Sequence, residues 1–236
     1  MGRSCREGRT RAGAAPSLQG RPSFFMRLDI RNTRTRWINV EKDVTKACMM
    51  QDLLDSLGFS DHQRFPAVTG IKPHREVRKG EEHYRNCAES HFRLLKQTIL
   101  KDGLPILILE DDIDAEYPFE PFLEVPDEAD CVYLGTSHGS LQYKAVGPKN
   151  GLVRIRGVLA THAILYLKKE YARSVRKLGK KYIYRRNLPF DVAIASELQD
   201  NSRVCARHQP MFYQADSKNE VNKWETLTRT PLIVTA

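Results

Sequence analysis

An uninterrupted apolar run near the middle of the chain ends in three acidic residues. Residues 104–109 are all apolar and lack the alternation of a half-exposed strand, so they predict a strand buried on both faces. Glu110, Asp111 and Asp112 follow it directly. Because open α/β sheets bind ligands at the carboxyl ends of their strands, these acids are candidates for a functional site. A solvated acidic turn after a core strand is the alternative interpretation.

Apolar residues that recur every three or four positions predict four helices. The first covers residues 44–57, with Asp43 as its N-cap and Gly58 as its stop. The second covers residues 80–103 and leads directly into the central apolar run. Of the two later helices, one carries Tyr171, Val175 and Leu178 on its inner face and the other begins within residues 188–191.

Strands are predicted between these helices. They cover residues 36–40, 64–70, 104–109, 130–135 and 153–158, with an edge strand within 209–214. Strands and helices alternate along most of the chain, which is typical of an α/β domain. We therefore expect a single domain with a mixed, mostly parallel central sheet flanked by helices.

Length and composition agree with one globular domain. The chain has 236 residues, of which 41% are hydrophobic. No apolar run approaches the roughly 20 residues that span a bilayer, so we expect a cytoplasmic location, in the host cell if the chain is viral. The five cysteines lack the paired spacing of a zinc site or disulfide framework and are expected to be reduced thiols. They are Cys5, Cys48, Cys87, Cys131 and Cys205.

The first 25 residues differ from the rest of the chain. They contain five arginines and one glutamate, and they have few large apolar side chains, of which Phe24 and Phe25 are the aromatic ones. This composition predicts a disordered basic leader over residues 1–25, ahead of a folded domain over 26–236. A transit peptide and a start assigned upstream of Met26 both explain such a segment.

A basic stretch lies in the second half of the chain. The formal net charge is +9, and nine of the nineteen residues from Lys168 to Arg186 are Lys or Arg, against the single acid Glu170. This stretch favours a polyanionic partner such as DNA. A solvated helix face is the alternative interpretation.

Several polar residues have both a structural and a functional interpretation. Ser90 and His91 fall on the predicted buried face of the second helix, where a lone histidine is more often a hydrogen-bonded core residue than a ligand. Asp191 suits the first turn of the last helix, but it is also a candidate base. His138 and His162 are weaker candidates for that role, because each could simply cap a loop.

Taken in order, these motifs resemble glycosyltransferase family 25, whose members include lipopolysaccharide-type and collagen-modifying sugar transferases. The resemblance covers residues 37–217. It is carried by Ile38-Asn39-Val40 with Lys46, residues 64–70, Gly80-Glu81, Ser90-His91, Glu110-Asp111-Asp112 and Pro189-Phe190-Asp191. The chain departs from the family pattern in its first loop, where only Glu41, Lys42 and Lys46 replace an arginine-rich segment, and at the start of the second helix, where His83 and Tyr84 replace Gly-Cys.

The resemblance implies a GT-A-like (Rossmann-like) fold, a nucleotide-sugar donor such as a UDP-sugar, and Mn²⁺ or Mg²⁺ as cofactor. It implies that Asp112 holds the metal, with Glu110 or Asp111 assisting, and that the Lewis acidity of the ion neutralises the leaving diphosphate. Asp191 would take the proton of the acceptor hydroxyl if the sugar inverts. The implied donor-binding residues are Asn39, Glu41, Lys46, Arg64, Ser90, His91 and Asp111.

Three functions are compatible with these sequence features. The leading one is metal-dependent sugar transfer to a hydroxyl, with a hydroxymethylated base in phage DNA, a glycan, a lipid-linked saccharide and a protein hydroxyl all open as acceptors. Nucleotidyl or phosphoryl transfer also uses clustered acids, but the chain has no Gly-x-x-x-x-Gly-Lys phosphate loop. A non-catalytic, basic nucleic-acid-binding module on the same fold is the third.

Overall fold

The structure is a computed structural model that describes residues 25–71, 83–137, 144–149, 151–186, 188–200, 203–215, 228–229 and 231–232, with the backbone alone for 144–149. The strands are β1 (Phe25–Asp29), β2 (Thr35–Asn39), β3 (His62–Pro66), β4 (Ile106–Glu110), β5 (Ile113–Ala115), β6 (Phe122–Pro126), β7 (Cys131–Tyr133), β8 (Lys144–Lys149), β9 (Leu152–Arg156), β10 (Ala163–Tyr166), β11 (Val204–Arg207) and β12 (Phe212–Gln214). The helices are α1 (Val44–Ser56), α2 (His83–Gln97), α3 (Ile99–Asp102), α4 (Lys169–Lys181) and α5 (Phe190–Ala193). The π-helical segments Tyr182–Arg186 and Ile194–Leu198 continue α4 and α5.

Eight strands form the central sheet, in the order β3-β2-β4-β10-β7-β11-β9-β8. The predicted α/β fold with a mixed sheet is confirmed. Within the described residues, β2 pairs in parallel with β3 and β4, and β7 with β11, while the other four pairs are antiparallel. The parallel part is therefore less extensive than expected, because β10 inserts antiparallel between β4 and β7.

Strand β4 lies inside the sheet and is buried on both faces, as its unbroken apolar run predicts. Ile106, Leu107, Ile108 and Leu109 all have 0% exposure. Ile106 and Ile108 pack in the hydrophobic core that includes residues of α2 and α4, whereas Leu107 and Leu109 pack in the core on the other face with Trp37. Each face of the strand thus anchors one half of the core, and the acids that follow β4 have a rigid base.

The helices follow their sequence signals with one exception. Asp43 caps α1 as predicted, because its side chain accepts a hydrogen bond from the backbone N–H of Lys46. The prediction of one helix through residue 103 is wrong at Thr98, where α2 has ended and α3 begins. Gly103 closes α3 with a left-handed φ of 80°, which supports the predicted stop. Helix α4 approaches α2 at Gly179, where a Cβ atom would lie 2.5 Å from the Phe92 ring.

Several elements lack a counterpart in the sequence predictions. Strands β1 and β6 pair in a separate two-stranded sheet, and β11 joins the central sheet between β7 and β9. Strand β5, also without a prediction, pairs with β12, which lies within the predicted edge strand of residues 209–214. Phe25 begins β1, one residue before the expected domain boundary, while the rest of the predicted leader and His138 lie outside the described residues. No helix in the described part of the chain is long and apolar enough to cross a membrane.

Candidate active site

Asp111, the second of the three consecutive acids, is held by two neighbouring side chains. Asn39, at the end of β2, donates from Nδ2 to Asp111 Oδ2 at 2.6 Å. Lys46, in the first turn of α1, places Nζ 3.5 Å from Asp111 Oδ1. Because β2 runs parallel to β4, both strands end at the same edge of the sheet. At that edge, the Asp111 carboxylate is therefore paired with the Asn39 amide on one oxygen and with the Lys46 ammonium on the other.

Asp112 is held on one side only. Its Oδ2 accepts a hydrogen bond from Nε2 of Gln214 at 3.1 Å, whereas its Oδ1 is buried without a hydrogen-bond partner among the described residues. Burial raises the pKa of this carboxyl to about 6, and the negative charge of Glu110 adds to the rise, although Lys46 opposes it. A buried carboxylate oxygen without a donor is what a cation would satisfy.

Glu110 lies at the centre of a hydrogen-bonded cluster. Its Oε1 accepts from the Thr161 hydroxyl at 2.8 Å and lies 2.9 Å from Nε2 of His91 and 3.9 Å from Sγ of Cys87. Burial alone would raise the pKa of Glu110, but the hydrogen bond and charge of His91, with the hydrogen bond of Thr161, lower it overall. Cys87 and His91 are four residues apart on α2, so one face of the helix presents both to Glu110.

Asp191 completes the group of acids. It is half-buried in the first turn of α5, where its Oδ1 accepts from the N–H of Val192 at 2.8 Å and its Oδ2 from the N–H of Ala160 at 3.4 Å. Burial raises its pKa, and Glu110 contributes to the rise. The pKa of the Cys87 thiol is raised by burial and by the charges of Glu110, Asp191 and Asp112. The structure therefore brings these three predicted acids together around Cys87.

The loop between β9 and β10 supports this cluster from one side. Ala160 has a φ of 88°, a left-handed conformation that costs free energy for a residue with a Cβ atom. That conformation accompanies the contact of its N–H with Asp191, and the next residue, Thr161, donates to Glu110. Two acids that lie far apart in sequence are thus bound by neighbouring residues of one loop.

Other predicted donor-site residues contact the protein itself. Arg64 donates from Nη2 to the carbonyl oxygens of Val40 and Glu41, at 3.3 and 2.9 Å, and the Glu41 side chain is exposed. Ser90 is buried, accepts from the N–H of Val68 at 2.8 Å and donates to a carbonyl of its own helix. Arg64 and Ser90 therefore hold the loops after β2 and β3 in place.

His162, a weaker base candidate, is fully buried. Its ring packs so closely on Gly135 that a Cβ atom at that position would lie 2.0 Å from Nε2. Burial lowers the pKa of this histidine to about 4, although the charge of Glu110 and the backbone of Phe212 oppose the shift. These contacts indicate a neutral structural residue.

Sequence reasoning did not assign Cys87, Thr161 or Gln214 to the site. The spacing of Cys87 and His91 on a predicted helix was a usable signal, since it places both on one face. Thr161 and Gln214 carried no local signal, because their positions depend on which strands pair.

One group of three side chains has the geometry of a metal site within the part of the chain that the structure describes. Ligand atoms of Cys87, His91 and Glu110 all lie within 4.8 Å of one another. Within the described residues the three consecutive acids do not form such a group by themselves, and Asp111 is paired with Asn39 and Lys46. Asp112 and Glu110 nevertheless fit a hard cation in their donor chemistry, through the carboxylate oxygen of Asp112 that lacks a partner.

Comparison with known proteins finds little. No protein-family model matches the sequence and no curated protein matches it, so membership of glycosyltransferase family 25 is not confirmed. Among solved structures, the chain is similar to a glycosyltransferase involved in the glycosylation of the major capsid of PBCV-1. The identity is 12% and the TM-score 0.48, over 83% of this chain and 98% of that one. A likeness this distant does not establish an activity for this chain.

Proposed function

We propose that the chain is a glycosyltransferase that moves a sugar from a nucleotide-sugar donor, such as a UDP-sugar, to a hydroxyl group, with Mn²⁺ or Mg²⁺ as cofactor. The observation that carries the proposal is the acid cluster at the carboxyl edge of β4, in which Asp112 keeps a buried oxygen without a partner. Ligands bind at this edge in open α/β sheets.

The charge balance of the cluster supports a cation. Glu110, Asp111, Asp112 and Asp191 supply four carboxylates, and Lys46 is paired with Asp111. Burial together with repulsion between the carboxylates raises the pKa of Asp112 and of Asp191. Carboxylate oxygens suit Mg²⁺ and Mn²⁺, and Asp112 and Glu110 are the proposed ligands. Bound there, the ion would supply Lewis acidity to the leaving diphosphate.

The donor is proposed to lie at the loop between β2 and α1. Lys46 is a cation at this edge, and it stands at the start of a helix, where backbone N–H groups favour phosphate. Asn39 has a buried Oδ1 without a partner among the described residues, which a ligand hydroxyl would satisfy. Arg64 and Ser90 shape this site through the loops that they hold, whereas Asp111, Glu41 and His91 complete the proposed set of donor-site residues.

Asp191 is the proposed base. Its pKa is raised by burial, which brings the carboxylate closer to the range in which a general base works at neutral pH. Its two carboxylate oxygens accept backbone hydrogen bonds from Val192 and Ala160, so its orientation is fixed. In an inverting transfer, the proton of the acceptor hydroxyl passes to Asp191 as the oxygen attacks the sugar.

The acceptor is proposed from the exposed basic residues along α4 and the segment after it. Since α4 leads through residues 182–186 to Asp191, the basic stretch ends near the site, which favours a polyanion such as DNA with a hydroxymethylated base. A glycan, a lipid-linked saccharide or a protein hydroxyl are the alternatives. A basic nucleic-acid-binding module without turnover is the alternative from a different class.

The proposal is tested by donor hydrolysis. The purified chain is incubated with a panel of nucleotide sugars and Mn²⁺ or Mg²⁺, and the free nucleoside diphosphate is measured by mass spectrometry. We expect release with at least one donor, abolished by excess chelator and restored by the metal. Donor binding without turnover on any donor or acceptor would favour the non-catalytic module instead.

A further inference from the structure

We infer that Cys87, His91 and Glu110 form a binding site for Zn²⁺ or a similar thiophilic divalent ion. It adjoins the proposed hard-cation site at Asp112 and shares Glu110 with it. The inference concerns metal binding alone and does not depend on sugar transfer. It rests on the geometry of three side chains that two neighbouring elements, α2 and β4, hold together.

The distances agree with tetrahedral coordination. Zinc bonds of about 2.0–2.3 Å to oxygen, nitrogen and sulfur place ligand atoms roughly 3.3–3.6 Å apart. Here His91 Nε2 lies 2.9 Å and Cys87 Sγ 3.9 Å from the same Glu110 oxygen, values on either side of that range. Shifts of a few tenths of an ångström would therefore bring these two pairs into the range, and the third pair, Cys87 Sγ and His91 Nε2, lies within 4.8 Å.

The donor set selects the class of metal. A thiolate and an imidazole favour zinc over Mg²⁺ or Ca²⁺, which take oxygen ligands. Cys87 is half-buried, while His91 is fully buried. On binding, the S–H bond of Cys87 is replaced by a sulfur–metal bond and the proton leaves to solvent.

Surrounding residues restrain the ligands. Thr161 donates its hydroxyl to Glu110, as residues around metal sites often do. The ring of Phe190 lies 5.0 Å from the ring of His91, centroid to centroid, and limits its rotation. Nearby Asp112 and Asp191 add negative charge, since both raise the pKa of Cys87, and this charge attracts a cation.

Cobalt binding tests the inference on the full chain. Co²⁺ bound to a thiolate gives a near-ultraviolet sulfur-to-metal charge-transfer absorption, which zinc should abolish by displacement. We expect one such site per chain, lost in Cys87→Ser and weakened at least about tenfold in His91→Gln, because even changes around the ligands cost 10–100-fold. Cys205→Ser, a half-buried cysteine on β11, is the matched control and should keep the absorption.

A second measurement covers the case in which a variant misfolds. Wild-type chain is alkylated with and without zinc, and the modified cysteines are located by peptide mass spectrometry. Zinc should slow alkylation of Cys87 but not of exposed Cys48. Cobalt absorption that survives Cys87→Ser, or no zinc protection of Cys87, overturns the inference. Mn²⁺-dependent donor hydrolysis, measured separately in the wild-type chain, reports on the proposed function, so the two failures are distinguishable.

Discussion

The side chain of Gln199 holds both backbone polar groups of Val158. Its Oε1 accepts from the Val158 N–H at 2.9 Å and its Nε2 donates to the Val158 carbonyl at 2.8 Å. Gln199 is fully buried and directly follows the π-helical segment that continues α5. The pair therefore ties the element that carries Asp191 to the loop whose Ala160 and Thr161 contact Asp191 and Glu110.

Replacing Gln199 by leucine should damage both stability and the site. The substitution leaves the N–H and carbonyl of Val158 buried without partners, at about 1–3 kcal/mol each. We expect the free energy of unfolding to fall by roughly 2–5 kcal/mol in urea titrations, with a further loss of donor hydrolysis in the fraction that remains folded. Gln97→Leu, at an exposed position on α2, should change neither. An unaltered Gln199→Leu variant would contradict this role.

Asp112→Asn should abolish transfer while leaving the fold intact. The folded-state pKa of Asp112, about 6, lies above its usual 3.8. The ionised carboxylate therefore lowers the free energy of unfolding, fully so above pH 6, and this loss of stability disappears as the pH falls toward 4. At pH 7 and without metal, the variant should be as stable as wild type or more stable by up to about 3 kcal/mol.

Thermal melting and donor hydrolysis with Mn²⁺ measure the two effects of Asp112→Asn. Asp52→Asn, on the exposed face of α1, is the control and should keep full activity. Wild-type turnover in Asp112→Asn, or in excess chelator, would remove the metal mechanism.

The sequence predicts local features of the site better than its assembly. Patterns within a few residues predict the burial of β4, the cap at Asp43 and the position of the three acids at the carboxyl edge of the sheet. The direction of a strand does not follow from such patterns, because the apolar run of residues 163–166 is compatible with both a parallel and an antiparallel strand. The antiparallel insertion of β10 was therefore missed. Thr161 reaches Glu110 beside that pairing of β10 with β4, whereas Gln214 reaches Asp112 through the pairing of β12 with β5.

Predictions for single residues likewise succeed where a local pattern exists and fail where it does not. The helical spacing that placed His91 on a buried face is confirmed, and its bond to Glu110 fits the interpretation of a hydrogen-bonded residue. The break at Thr98 had no such signal. Its hydroxyl donates to the carbonyl of Leu94 at 2.7 Å, a local competition with the backbone that the apolar pattern does not reveal.

His162 should make stability depend on pH. Its folded-state pKa is about 4, against 6.5 for the ordinary side chain, so between these values the unfolded chain takes up a proton that the folded chain does not. The free energy of unfolding should therefore fall as the pH is lowered from 6.5 to 4, by up to about 3 kcal/mol. Urea titrations of wild type and His162→Gln measure this difference. Parallel curves for the two proteins would show that His162 does not contribute.

The final prediction concerns the basic stretch and its partner. Lys177, Lys181 and Arg185 are exposed and line a surface cavity of about 620 Å³ with Tyr184. Lys180 is unsuitable for charge reversal, because its Nζ lies 3.6 Å from Oε1 of the buried Glu89 and a glutamate there would repel it. We therefore replace Lys177, Lys181 and Arg185 together by glutamate.

If these side chains contact DNA phosphates, each contact contributes about 0.9 to the steepness of the log-log dependence of affinity on salt. Fluorescence anisotropy with duplex DNA should then show weaker binding in the triple variant and a salt slope shallower by roughly 2.7. Donor hydrolysis should persist, since none of the three residues contacts the acids. The control variant carries the same charge change elsewhere, with Lys96, Lys101 and Arg203 replaced by glutamate. It should keep the wild-type slope, because counterion release depends on which charges contact phosphate and not on net charge alone. Equal salt slopes in all three proteins would indicate that the basic stretch is a solvated surface without a DNA contact, and would favour an uncharged acceptor.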